Sequence, residues 1–76
     1  MTAAQHSTRP RAGLSATVSR REREILDLLS QGLSNKEIGA RLRVSQFTVK
    51  NHLARIFVKL RVRSRTAAVM AYLHHP

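Results

Sequence analysis

Four serines punctuate this chain, and each stands just before a run of apolar residues at helical spacing: Ser19, Ser34, Ser45 and Ser64. A serine in that place offers its oxygen to the backbone N–H groups that the first turn of a helix leaves unpaired, so the four mark helix starts. Two carry the reciprocal half as well. In Ser19-Arg20-Arg21-Glu22 and Ser34-Asn35-Lys36-Glu37, the glutamate three residues on reaches back to the N–H of its serine. The alternation of a strand is absent, so the fold class is all-α, a compact four-helix domain. At 76 residues the chain has room for one small domain, and without cysteine neither a disulfide nor a thiolate metal site can staple it.

The apolar pattern fills in the helices. The first opens at Ser19 and carries Ile25, Leu28 and Leu29, with Leu26 beside them. Gly32 ends it, because glycine takes the left-handed conformation that follows a helix, and Leu33 is a hydrophobic closure. The second helix, about two turns, places Ile38 and Leu42 one turn apart. Gly39 inside it costs up to ~1 kcal/mol relative to alanine, and its use is read as close helix contact. Arg43-Val44 form a tight turn before the third helix, Ser45 to about Leu60. There Val49, Leu53, Ile56 and Leu60, widened by Phe57, make one inward face. Phe47, Asn51, Ala54, Arg55 and Val58 oppose it, with Lys50 on the flank. Arg61-Val62-Arg63 breaks the pattern; Ser64 caps a last helix reaching about His74, and Pro76 closes the chain. Residues 1–13 lack any apolar period and read as a disordered tail or linker ahead of a domain over 14–76, with Leu14 and Val18 packing at its start.

Charge points to the partner. Fourteen Lys and Arg stand against four Asp and Glu, a formal net charge of +10. All four acids (Glu22, Glu24, Asp27, Glu37) fall before residue 38, and the remainder of the chain carries cations only. A segregated positive field attracts a polyanion, since neutralised phosphates release condensed counterions. Nucleic acid is therefore the leading partner and an anionic membrane surface the next. No apolar run approaches the ~20 residues of a membrane span and no secretory h-region opens the chain, so the expected location is cytoplasmic.

Two short helices joined by a tight turn, the second longer and basic, fit a helix-turn-helix. In that arrangement the second helix lies in the ~12 Å major groove of double-stranded DNA, its early turns at the base edges. Gln46, Lys50, Asn51 and Ala54 supply the small or polar outer face this needs, with Ser45 at the cap. Lys36, Arg55 and Lys59 supply flanking cations for phosphates. Phe47 faces outward, where it either meets DNA or packs near the turn.

The stretch SRREREILDLLSQGLSNKEIGARLRVSQFTVKNHLARIFVKLRVRSRTAA resembles the LuxR-type (NarL/FixJ, GerE) helix-turn-helix domain of bacterial transcription regulators, over about Leu14 to Leu73. The linked motifs are RERE-L, GLSNKEI, TVK-x-H-L, KL-V and SRT. The resemblance implies that Lys50 and Asn51 occupy the base-reading turn, that Thr48 and Lys36 touch phosphates, and that His52 approaches the DNA backbone. It gives Glu22, Leu26 and Gly32 structural roles. It also implies a homodimer paired through the last helix, whose Thr66, Met70 and Leu73 share a face, while Ala68, Val69 and Tyr72 share another. The other reading is that both faces complete a small core. RNA polymerase is a further candidate partner. Ala54 departs from relatives with a longer polar side chain and offers only apolar contact, for instance to a thymine methyl. Gly39 replaces the usual Ala, and Ala67 stands where many relatives have Glu.

Rival readings are weaker. The histidines (His6, His52, His74, His75) form no i, i+4 pair and have no carboxylate to complete a metal site. No phosphate loop or catalytic triad order is present, Ser45 and Ser64 are explained as caps, and neither enzyme activity nor a cofactor is expected. A sigma-factor region-4 module would end sooner than the helix beginning SRTAA. A protein-interaction module without DNA remains the alternative from another class.

Overall fold

In the computed structural model, which describes residues 18–74, these segments form four α-helices and no strand. They are α1 (Arg20–Ser30), α2 (Asn35–Leu42), α3 (Gln46–Leu60) and α4 (Arg65–Leu73). The tail assigned to residues 1–13, the packing of Leu14, and His6, His75 and Pro76 lie outside the described residues.

Every helix starts at its serine. Ser19 and Ser34 form complete capping boxes with Glu22 and Glu37, the serine N–H groups donating to the carboxylates at 2.8 and 2.7 Å. Ser45 and Ser64 accept from the N–H of Thr48 and Ala67, each at 3.0 Å. The helix ends are less uniform. After α1, Gly32 adopts φ +91°, and the N–H groups of Gly32 and Leu33 donate to the carbonyls of Leu29 and Leu28, the double closure that a left-handed residue permits. The same geometry ends α3, yet the left-handed residue there is Arg61 (φ 59°), and Arg43 (φ 62°) takes that role after α2. Neither side chain announces this conformation, because arginine has no preference for it.

The core gathers one face from each helix. Ile25, Leu26, Ile38, Val49 and Ile56 are fully buried; Val18, Leu28, Leu29, Leu53 and Ala68 complete the cluster, with Leu42, Phe57, Leu60, Val69 and Tyr72 at its margin. Gly39 makes a close approach, chiefly to backbone just before the next helix and at its first residue. A β-carbon there would stand 2.6 Å from the Val44 carbonyl oxygen and 3.3 Å from the Gln46 nitrogen. The close approach is thus to the turn between α2 and α3 and to the first residue of α3. With the turn seated on α2, the start of α3 is held at the surface.

Candidate nucleic-acid interface

The outer face of α3 is built by exclusion. Val49, Leu53 and Ile56 are drawn into the core, so the side chains on the opposite side have nothing to pack against. Gln46, Lys50, Asn51, Ala54 and Arg55 are all exposed, Phe47 and Val58 by 71% and 77%. Lys36, in the first turn of α2, is exposed on the preceding helix. The first turn of α3 differs from those of α1 and α2, for no acid stands in it and Thr48 occupies the place of the capping-box glutamate. The positive end of its helix dipole is therefore not offset by a side chain of its own. Ser45 and Thr48 hydroxyls lie 3.1 Å apart beside that end, Ser45 exposed and Thr48 half-buried.

Two of the expected side chains are engaged with the rest of the protein. Lys59, counted among the phosphate-facing cations, turns back onto α1: its Nζ donates to both carboxylate oxygens of Glu22, at 2.8 and 3.0 Å. The Glu22 side chain is only 4% exposed, against 37% for Lys59. A buried carboxylate needs a counter-charge, and Lys59 supplies it in this chain. Burial pushes the Glu22 carboxyl up, but hydrogen bonds from Lys59 and Ser19 outweigh it and hold the group below its ordinary value of 4.5. His52 is half-buried, and its Nδ1 is enclosed without a hydrogen-bond partner. That nitrogen is not presented to the outside, which narrows the expected approach of His52 to a DNA backbone.

Arg65 is the residue the sequence did not single out. Its guanidinium donates to Asn35 Oδ1 at 2.8 Å and to the Leu33 carbonyl at 2.6 Å, tying the start of α4 to the start of α2. Beside this clamp is a shallow groove of about 300 Å³, with Lys50, Leu53, Ala54 and Phe57 of α3 along one side and Asn35 and Arg65 on the other. The only signal in the sequence was the SRT motif, and it carries no statement of what the arginine reaches.

On α4 the two faces separate. Ala68 is buried and Val69 and Tyr72 half-buried against the core, where the Tyr72 hydroxyl donates to Asp27 Oδ1 at 3.4 Å. Thr66, Met70 and Leu73 are exposed, Met70 by 46% and Leu73 by 57%. The reading in which both faces complete the core does not hold for this chain on its own. Among the described residues no cluster of His, Cys, Asp or Glu could hold a metal ion, and no helix is long and apolar enough to cross a membrane.

Comparison with known proteins gives consistent matches. A family profile described as bacterial regulatory proteins, luxR family (GerE), matches residues 16–72. The chain is 45% identical over 62 residues to a probable HTH-type transcriptional regulator, GfsR, of Streptomyces halstedii, covering 82% of this chain and 26% of that protein. It is 45% identical over 58 residues to the nitrate/nitrite response regulator protein NarP of Escherichia coli, covering 76% and 27% respectively. Among solved structures, the response regulator ChrA of a heme-sensing two-component system superposes with a TM-score of 0.69 at 49% identity, over 88% of this chain and 31% of that one. The chain thus spans about a quarter of the length of the curated relatives it matches.

Proposed function

Because the chain belongs to the luxR family of bacterial regulatory proteins, we propose that it binds double-stranded DNA in a sequence-dependent manner as the DNA-reading unit of a cytoplasmic transcription regulator. Residues 14–76 are that unit and residues 1–13 a tail or linker ahead of it. In this reading α3 enters the major groove, Gln46, Lys50, Asn51 and Ala54 meet base edges, and Lys36, Ser45, Thr48 and Arg55 hold phosphates. The observation that carries it is the division of α3 into a fully packed face and an opposite face of exposed polar and cationic side chains. The acid-free first turn of α3 supports it further, since backbone N–H groups and a dipole end favour a phosphate.

The exposed Thr66–Met70–Leu73 face of α4 supports a homodimer seated on a two-fold site, with half-sites about one helical turn apart. RNA polymerase is the further partner that a regulator bound at a promoter meets. The activities of the relatives belong to chains about four times as long.

A mobility-shift series with a selected duplex and a scrambled one tests the reading. Log K is expected to fall with log salt at a slope of about −0.9 per phosphate contacted, with tighter binding to the selected duplex throughout. Salt-insensitive association, or equal affinity for both duplexes, contradicts it. Sedimentation of the DNA complex with wild type and Met70→Glu tests the dimer: two copies per site are expected for the first and one for the second.

A further inference from the structure

We infer that Phe47 is a specificity-determining residue that reads the 5-methyl group of thymine, an inference resting on the major-groove placement of α3 proposed above. Phe47 is the second residue of α3 and 71% exposed. A single exposed apolar side chain is ordinary on a protein surface and needs no explanation by itself. The company it keeps is the reason to look further. At about 100° per residue, Phe47 shares an arc of about 60° with Asn51 and Ala54, four and seven positions on. All three are exposed, and Lys50 flanks them.

The core has no claim on this ring. The inward face of α3 is Val49, Leu53 and Ile56, and the phenylalanine at the core margin is Phe57. Nor can a phenyl ring pair with a phosphate. On the major-groove edge the apolar group that distinguishes one base is the thymine C5 methyl, and phenylalanine and alanine are side chains that contact it. Phe47 and Ala54, seven residues apart, are separated by about 10 Å along the helix. That distance corresponds to roughly three base-pair steps. The pair therefore asks for thymines so spaced, with Lys50 and Asn51 reading the positions near them. Phe47 adds a second apolar reader to the one that Ala54 offers.

The test uses the whole chain and a duplex selected from a randomised pool. Each thymine of that duplex is replaced in turn by uracil, which lacks the methyl group alone, and affinity is measured for wild type, Phe47→Ala and Val58→Ala. Val58 is exposed on the same side of α3 near its far end and serves as the control. Wild type is expected to lose about fourfold at the thymine facing Phe47, the worth of one buried methyl. Phe47→Ala is expected to bind the thymine and uracil duplexes alike at that position, and Val58→Ala to keep the wild-type difference. Circular dichroism shows that the variants are folded, and Phe47→Leu, which keeps an apolar side chain, retains part of the discrimination. A wild-type loss that persists in Phe47→Ala at every thymine, or no loss at any thymine, overturns the inference while leaving DNA binding intact. Equal loss of discrimination in Val58→Ala overturns the assignment to Phe47. Failure of the wild type to prefer any duplex over random competitor overturns the reading beneath it, and is a different result.

Discussion

Lys59 and Glu22, 37 residues apart in the chain, are joined by two hydrogen bonds of 2.8 and 3.0 Å that run from the far end of α3 to the first turn of α1. Glu22 at the same time accepts from the Ser19 backbone N–H at 2.8 Å. One carboxylate thus closes a helix cap and anchors the third helix to the first. Its burial is tolerable because both functions supply donors.

Lys59→Met leaves that carboxylate buried with the cap alone. A loss of roughly 1–3 kcal/mol in stability is expected by urea denaturation. In the same variant, measured well below its unfolding temperature, the salt slope of DNA binding is expected to stay at the wild-type value. A slope reduced by about one unit would return Lys59 to the phosphate contacts.

The Glu22 carboxyl lies below its ordinary value in the folded chain and regains that value when unfolded. Protons therefore bind the unfolded state first as pH falls. The stabilisation is fully present above about pH 5 and drains away as pH drops through 4.5 and below the folded-state value. Glu37, held low by the Ser34 backbone N–H, acts in the same direction. Denaturation midpoints between pH 7 and pH 3 are expected to decline over the acidic end, and Glu22→Gln to flatten that decline.

Gly39 lies beneath the turn, where a β-carbon would stand 2.6 Å from the Val44 carbonyl. Backbone atoms cannot swing aside as a side-chain tip can. Gly39→Val is expected to cost about 1–3 kcal/mol through forced displacement of the turn, and to weaken DNA binding because the start of α3 shifts with it. Unchanged thermal stability would contradict the contact.

Arg61 holds a left-handed conformation after α3 without the freedom of glycine. Arg61→Gly relieves that strain and loses some of the gain to a more flexible unfolded chain, so a net stabilisation of about 0.5–1 kcal/mol is expected. A lower melting temperature in this variant would argue that the Arg61 side chain makes a compensating contact.

Lys50 and Lys36 are both exposed cations and are expected to behave differently. Lys50→Ala should lose about 1–3 kcal/mol on the selected duplex and relax preference at one position; Lys36→Ala should weaken all duplexes alike and lower the salt slope by about 1. Equal loss on specific and random DNA for Lys50→Ala would take it out of base reading.

What could be read along the chain was whatever depends on near neighbours. Ser19, Ser34, Ser45 and Ser64 cap residues three positions away, and the Val49–Leu53–Ile56 stripe repeats within one helix, so helix starts and the inward face of α3 are legible in the sequence alone. Folding alone decided which distant groups meet. Lys59 and Arg55 look alike as basic residues on one helix, and only the packing of α3 on α1 brings Lys59 to a buried acid while Arg55 stays exposed. Arg65 finds Asn35 and the Leu33 carbonyl across 30 and 32 residues, and Gly39 makes room for a turn whose path no local pattern specifies. The physical reason is range: caps and periodicity are settled within a turn or two of backbone, whereas the partner of a long charged side chain depends on how helices pack.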